Sequence, residues 1–212
     1  MISISGIKNQ KEIEALEYFN KNAASVLIGK FGRNLDKKID RLIEMGYLKV
    51  LKKGLYVSAP FYEKTEKEPY AEYMANRLRL PSYLSLEYVL AKEGLIPEAV
   101  YVLTSITSKT SRNFTNFMAN YSYKNVKTKL FCGYRVKEWG GKKIYLASKA
   151  KALFDYFYLT KMIDFDREIL DTRINWGNFT RKDYEEFGRY AKLAQSKKMS
   201  EICKLLKPYV AG

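Results

Sequence analysis

The sequence contains no histidine among its 212 residues. This absence excludes Ser-His-Asp and Cys-His catalysis, metal sites built on imidazole, and any mechanism in which histidine transfers the proton. Cysteine is scarce as well: Cys132 and Cys203 are too few for a four-cysteine zinc site and form no CxxC pair. With reduced thiols and no secretory signal pattern, we expect a cytoplasmic protein.

The sequence also lacks long apolar runs and the common catalytic motifs. No apolar stretch approaches the roughly 18–20 residues that span a bilayer, so no membrane segment is expected. There is no P-loop, no GxGxxG and no visible nucleophile–base pair, and we therefore expect no enzymatic activity, no metal and no cofactor. Asp155, Asp164, Asp166 and Asp171 could suggest a metal cluster. However, Asp155 has apolar helical neighbours, and "DFDREILD" is typical of a helix N-cap followed by a charged face.

Basic residues are in clear excess. The chain has 38 Lys and Arg against 23 Asp and Glu, a net charge of +15. Residues 1–57 hold 11 basic and 6 acidic residues, and residues 58–212 hold 27 and 17, so the excess is spread along the chain. Such a balance favours a polyanionic partner, most often nucleic acid.

The first 60 residues show the pattern of three helices followed by a hairpin. "NQKEIEALEYFNKN" has helical spacing, with Asn9 and Glu12 placed as a capping box, and "ASVLIGKFG" fits a short buried helix. A third helix is predicted from Arg33 to Met45, ended by Gly46. "YLKVL" and "LYV" are predicted strands around a Lys53-Gly54 turn. This order predicts an N-terminal winged helix-turn-helix domain over residues 1–60.

The third helix is predicted to expose a basic face. At 100° per residue Leu35, Ile39, Leu42 and Ile43 share one arc, which should be buried. In a recognition helix the opposite arc lies in the major groove, where Arg and Asn read base edges and Lys contacts phosphates. A hairpin with lysines at its tip can contact the flanking backbone. The predicted DNA-binding residues are Arg33, Asn34, Lys37, Lys38 and Arg41 on the helix, and Lys49, Lys52 and Lys53 on the hairpin.

An alternative reading of this helix is an ordinary solvated surface. Basic and acidic residues alternate at i, i+3 spacing, and such ion pairs decorate many helices that bind nothing. The pairs in question are Arg33–Asp36, Lys37–Asp40 and Arg41–Glu44.

Residues 61–212 are predicted to form a second domain. The polar stretch "SAPFYEKTEKEP" separates it from the first as a linker or boundary. "VYVLTSIT", "NYSYKNV", "FCGYRVKEW" and "KKIYLA" read as strands, with helices before and after them. The predicted fold class is α+β: an N-terminal winged helix-turn-helix followed by a C-terminal domain with a small antiparallel sheet flanked by helices.

Three stretches of the second domain resemble one known family. They are "PSYLSLEYVLAKEGLIPEAVYVLTSITSKTSRNF" (Pro81 to Phe114), "YSYKNVKTKLFCGY" (Tyr121 to Tyr134) and "IYLASKAKALFDYFYL" (Ile144 to Leu159). They are similar to the AbiEi-type antitoxins, transcriptional regulators of type IV abortive-infection toxin–antitoxin systems. The predicted hairpin with Gly54, Leu55 and Tyr56 also fits this family, so the resemblance covers roughly residues 33 to 160.

The resemblance implies a two-part cytoplasmic protein of phage defence. Its winged helix would repress its own operon by binding inverted repeats in the promoter DNA. Its C-terminal domain would counteract a nucleotidyltransferase-type toxin without forming a stable complex with it. Neither role implies a cofactor.

A basic surface of the second domain is a candidate for the antitoxin role. The residues that could form it are Lys109, Arg112, Lys124, Lys127 and Lys129. Such a surface would suit RNA, a nucleotide or an acidic protein face. The alternative function is therefore an RNA-binding or protein-masking module in which the winged helix is only structural.

Overall fold

The structure, a computed structural model, describes residues 7–161, 164, 167, 169 and 172–210. It is a mixed α+β structure that divides into two compact units. The first unit comprises Met1–Tyr70 together with Thr115–Met118, and the second comprises Ala71–Phe114 and Ala119–Gly212. The first unit thus ends at Tyr70 rather than residue 60 and includes a short segment from much later in the chain.

The first unit holds helices around a small antiparallel sheet. The predicted third helix and the predicted hairpin are both present, within a residue or two of the expected bounds. The strands pair in the order β1-β3-β2. In chain order the elements are α1 (Gln10–Ala15), β1 (Phe19–Asn20), α2 (Lys21–Ile28), α3 (Gly32–Glu44), β2 (Leu48–Lys52), β3 (Leu55–Ser58) and α4 (Ala59–Lys64).

The amphipathic pattern of α3 fixes its orientation in this unit. Leu35, Ile39 and Leu42 are at most 3% exposed and join the core with residues of α1, α2 and β2. The helix ends as predicted, because Gly46 has a φ of +73° and its amide donates to the Ile43 carbonyl at 2.9 Å. The chain can therefore turn directly into β2.

Two local predictions in this unit differ from the structure, although the stretch predicted as a linker or boundary does end next to the unit boundary at Tyr70. Asn9 precedes α1, but its side-chain amide donates to the Glu12 carboxylate at 3.2 Å instead of capping the backbone. The predicted linker is largely helical: Ser58 caps α4 by accepting from the Phe61 amide, and Pro60 stands in the first turn, where its missing N–H is not needed.

The second unit is built on a larger sheet than predicted. The strands described there form one six-stranded mixed sheet in the order β6-β7-β5-β4-β9-β8. Its helices include most of α5 (Lys67–Leu78), then α6 (Leu86–Lys92), α7 (Lys149–Leu159), α8 (Arg181–Ala194) and α9 (Lys197–Leu206). Its strands are β4 (Ser82–Leu84), β5 (Val102–Thr107), β6 (Arg112–Thr115), β7 (Asn120–Asn125), β8 (Tyr134–Trp139) and β9 (Lys142–Ala147).

The prediction of a small antiparallel sheet in this unit is wrong. β5 pairs with β7 in parallel, and β4 pairs with β9 in parallel at Leu84 and Leu146. Parallel partners need a crossover connection and are chosen by tertiary packing, which the local alternation of residues does not reveal. β4 is also only three residues long, too short to show a period of its own.

In the second unit, a predicted hairpin turn and a predicted helix cap are confirmed, because both depend only on residues close together in the sequence. Gly140 and Gly141 have φ of +53° and +74° and form the tight turn of the β8–β9 hairpin. Thr180 caps α8 in a capping box with Asp183. Among the described residues, no helix combines the length and apolar character needed to cross a membrane.

Candidate nucleic-acid interface

The face of α3 opposite the core is open and basic. Arg33, Asn34, Lys37 and Arg41 are all exposed. They point away from Leu35 and the other core residues of α3, as the helical spacing predicts. The sequence therefore placed these four side chains on the correct side of the helix.

The basic residues of this face do not pair with the acidic residues three positions on. Asp36 instead forms an ion pair with Lys21 of α2 at 2.5 Å, a hydrogen bond that raises the pKa of Lys21. Across the part of the chain that the structure describes, Arg33, Lys37 and Arg41 form no ion pair. The solvated-helix interpretation assumed three such pairs, and none of them forms.

Lys38 differs from the other predicted contact residues of α3. It is half-buried on the flank of the helix and already interacts within the chain. Its ammonium is therefore a weaker candidate for a phosphate contact than those of Lys37 and its exposed neighbours.

The β2–β3 hairpin exposes Lys53 at its turn. Lys53 is exposed at the turn beside Gly54, whose φ is +75°. Lys52 is half-buried next to a register irregularity between Val50 and Lys52, and it has an interaction partner within the chain. Of the predicted hairpin contacts, Lys53 is thus the one best placed for a flanking phosphate.

Lys49 lies over aromatic rings of the same unit. Its Nζ is 5.2 Å from the centre of the Phe117 ring and 5.9 Å from that of Tyr62. These two rings meet edge to face at 4.9 Å. The cation–π contacts direct Lys49 toward Phe117 rather than toward open solvent.

The segment Thr115–Met118 belongs to the first unit. Local sequence patterns did not predict this. The Asn116 side-chain amide donates to the Leu51 carbonyl of β2 at 3.1 Å, and Phe117 contacts Tyr62. No sequence signal pairs residues about 65 positions apart. Because Phe117 and Asn116 contact the hairpin, a fragment that ends near residue 60 lacks part of this unit.

The predicted basic surface of the second unit is exposed, and most of it lies near the end of β7. Lys124 on β7 precedes Asn125, whose side-chain amide donates to the Lys109 carbonyl at 2.9 Å. Arg79, which the sequence analysis missed, donates to the carbonyl and hydroxyl of Thr110 at 2.6 and 2.8 Å. The five predicted residues are all exposed: Lys109, Arg112, Lys124, Lys127 and Lys129.

Lys129 has a different environment from the rest of that surface. Its Nζ donates to the Gln195 side chain at the end of α8, at 3.0 Å. Arg112 lies on the edge strand β6, with its guanidinium 5.8 Å from the centre of the Phe114 ring. Lys109, Lys124 and Lys127 are thus exposed cations close to Asn125 in sequence or by contact, and the half-buried Arg79 lies beside Thr110.

A buried charged cluster joins the three stretches that carry the family resemblance. Asp155 of α7 forms an ion pair with Lys151, and both side chains are fully buried. The hydroxyls of Tyr83 and Ser85 donate to the same carboxylate at 3.0 and 2.8 Å. Burial raises the pKa of Asp155, and the contacts with Lys151, Ser85 and Tyr83 oppose that effect. Tyr83 also stacks on Tyr134 at 5.1 Å, so each stretch contributes to this cluster.

The aspartates considered as metal ligands do not gather in the described structure. Asp155 belongs to the cluster with Lys151, and the Asp164 side chain accepts from the Arg167 amide at 3.2 Å, as a helix cap does. Asp166 and Asp171 lie outside the described residues. Within those that are described, no three acidic or cysteine side chains lie close enough to hold a metal ion.

A scan against protein-family models finds no match for this chain, and a search of curated proteins finds none either.

Proposed function

We propose that this protein is a DNA-binding regulator whose first unit is a winged helix-turn-helix. The element order α1–β1–α2–α3–β2–β3, with its three-stranded antiparallel sheet, supports this assignment. In it α3 is the recognition helix and the β2–β3 hairpin is the wing. The helix enters the major groove and the wing contacts the flanking backbone.

The observation that carries the proposal is the unpaired basic face of α3. Arg33, Lys37 and Arg41 are exposed and make no ion pair in the described structure, although acidic residues stand at suitable spacing. Cations that their neighbours do not neutralise keep their attraction for phosphates. Asn34 lies among them with a side-chain amide that can read an adenine edge.

The second unit is proposed to counteract a nucleotidyltransferase-type toxin, in the manner of the AbiEi-type antitoxins. This part rests on the resemblance of the stretches that contribute Tyr83, Tyr134 and Asp155. Their contacts, with Tyr83 bonded to the buried Asp155 and stacked on the partly exposed Tyr134, support reading them as parts of one folded domain. The exposed cations near Asn125, among them Lys109 and Lys124, are the proposed antitoxin surface. The promoter of the protein's own operon is the proposed DNA target.

Charge reversal on α3 tests the DNA-binding proposal. Lys37→Glu and Arg41→Glu in the full chain should each lower affinity for duplex DNA about tenfold or more at about 0.1 M salt, since each exchanges a phosphate contact for a repulsion. The measurement is fluorescence anisotropy with a labelled duplex of the sequence upstream of the gene.

The matched control is Lys197→Glu, which makes the same change in charge at an exposed residue of α9. It should bind within about twofold of the wild type, because a general loss of charge acts only weakly at this salt. Equal losses for Lys197→Glu and Arg41→Glu would contradict the assignment of α3 as the recognition helix.

A further inference from the structure

Phe31 is a large apolar side chain held in solvent at the start of α3. It is 71% exposed, more than any other large hydrophobic side chain in the described part of the first unit. Leaving a phenyl ring in water forgoes the free energy of burying it. The core of this unit lies directly along the same helix, at Leu35 and Ile39, but Phe31 does not join it.

Phe31 lies in a turn between two glycines with left-handed backbone, Gly29 and Gly32, the latter with a φ of +53°. Gly29 ends α2 with a φ of +74°, and its amide donates to the Ser25 carbonyl at 3.0 Å. The Lys30 amide donates to the same carbonyl at 3.2 Å, and the Phe31 carbonyl accepts from the Leu35 amide at 3.3 Å. The backbone on both sides of Phe31 is thus bonded, and the turn directs the ring outward.

The neighbours of Phe31 indicate what kind of partner would cover it. Lys30, Arg33 and Asn34 are all exposed, and neither Lys30 nor Arg33 forms an ion pair within the described residues. Lysine is depleted in protein–protein interfaces whereas arginine is enriched there, so Lys30 is the residue that argues against a protein partner. A polyanion that also presents apolar groups fits better, and the major groove of DNA presents the C5-methyl group of thymine.

We propose that Phe31 contacts thymine methyl groups in the major groove and so sets part of the sequence preference. This inference rests on the proposed function, in which α3 is the recognition helix. The first residues of a recognition helix are those that reach the base edges, and Phe31 immediately precedes α3. Arg33 and Asn34 then supply polar contacts beside the apolar one.

The experiment removes single methyl groups from the DNA. The probe is a duplex enriched from a random-sequence library by the full-length chain, with each thymine replaced in turn by 2′-deoxyuridine. This replacement deletes only the C5-methyl and keeps the base pair. For the wild type, one or two replacements should weaken binding about fourfold each, as expected for one methyl group returned to water.

Phe31→Ala should bind the all-thymine probe about tenfold more weakly and should lose its sensitivity to those same replacements. Phe31→Leu should keep part of the sensitivity, since it retains an apolar side chain, and it also guards against a folding defect in the alanine variant. Met45→Ala is the matched control: Met45 is 47% exposed just beyond the other end of α3, and its loss should leave the thymine preference unchanged.

The outcomes separate this inference from the proposal beneath it. If the wild type enriches no sequence from the library, the DNA-binding function fails and the role of Phe31 fails with it. If the wild type is selective but Phe31→Ala responds to 2′-deoxyuridine as the wild type does, only the methyl contact is overturned. If Phe31→Ala instead turns a wild-type dimer into a monomer in sedimentation, with unchanged thymine sensitivity, the ring belongs to an interface between copies of this chain.

Discussion

At the scale of single residues, buried charges organise the second unit. The Asp155 carboxylate accepts from Tyr83 and Ser85 and pairs with Lys151, all away from solvent. A buried ion pair adds little stability over an apolar pair of similar size, but removing one partner strands the other. We therefore expect the cluster to specify how α7 and β4 meet more than to strengthen their contact.

Asp155→Ala should destabilise the second unit by about 3–5 kcal/mol, because the Lys151 ammonium is left buried without a counter-charge. Both tryptophans, Trp139 and Trp176, lie in the second unit, so urea unfolding followed by tryptophan fluorescence reports on that unit. The double variant Lys151→Met with Asp155→Leu should recover most of the loss. A loss below about 1 kcal/mol for Asp155→Ala would show that the pair is not buried as described.

Glu72 is a second buried carboxylate, held by Lys92 at 2.6 Å, the Tyr88 hydroxyl at 2.8 Å and Lys137 at 3.1 Å. Burial acts to raise the pKa of Glu72, but the hydrogen bonds from Lys92, Tyr88 and Lys137 outweigh it, so the pKa lies below its usual value. A carboxyl group with a lowered pKa stabilises the fold above its unfolded pKa of about 4.3. That stability is lost as the pH falls through the folded pKa.

Glu72→Gln should therefore reduce stability at about pH 7 and flatten its decline between about pH 5 and pH 3. The measurement is the free energy of unfolding in urea across that range, by tryptophan fluorescence. Glu201→Gln, at an exposed residue of α9, is the control and should follow the wild type. If Glu72→Gln loses stability on acidification as steeply as the wild type, the hydrogen bonds to Glu72 do not lower its pKa.

At the scale of elements, the wing should contribute phosphate contacts without sequence preference. Log affinity falls with log salt, and Lys53→Ala should make this slope shallower by about one. The double variant with Lys52→Ala should make it shallower by about one to two. Lys52 is half-buried and already interacts within the chain, so Lys53 should account for most of the change in salt dependence. Affinity titrations on operator and scrambled duplexes at several salt concentrations measure this. A wing that reads bases would instead show a loss confined to the operator.

Helix α3 was predictable because its determinants are local, whereas α4 was not, since its residues were expected to form a linker. The spacing of Leu35, Ile39 and Leu42 identifies the buried face of α3, and Gly46 identifies its end. The two- and three-residue strands β1 and β4 were not predictable, because such short strands show no alternation. Their places in the sheets follow from partners far along the chain.

For the candidate interface, the exposure of the basic residues was predictable from the sequence, but their ion pairing was not. Helical spacing places Arg33, Lys37 and Arg41 in solvent, but it cannot say whether they pair with nearby acids. For Arg33 the outcome depends on Lys21 of α2, which forms the ion pair with Asp36 instead. The position of Lys49 depends likewise on Phe117, a residue of a distant segment.

At the scale of the whole molecule, the two units carry the two proposed activities. Arg41→Glu should abolish repression of the operon while toxin neutralisation continues, since the substitution lies on an exposed face of the first unit. A promoter–reporter assay and a growth assay with the co-expressed toxin measure the two activities in the same cells. Loss of neutralisation in a folded Arg41→Glu protein would contradict this division of labour.

Operator recognition by α3 and its wing is tested most directly by a gel-shift titration of the full-length protein. The probe is the DNA upstream of its own gene, with a scrambled duplex of equal length and composition for comparison, at two salt concentrations. We expect tighter binding to the upstream DNA, weakened by salt, and loss of the preference in Arg41→Glu. Equal, weak binding to both duplexes would mean that the basic charge is generic and that α3 does not read an operator.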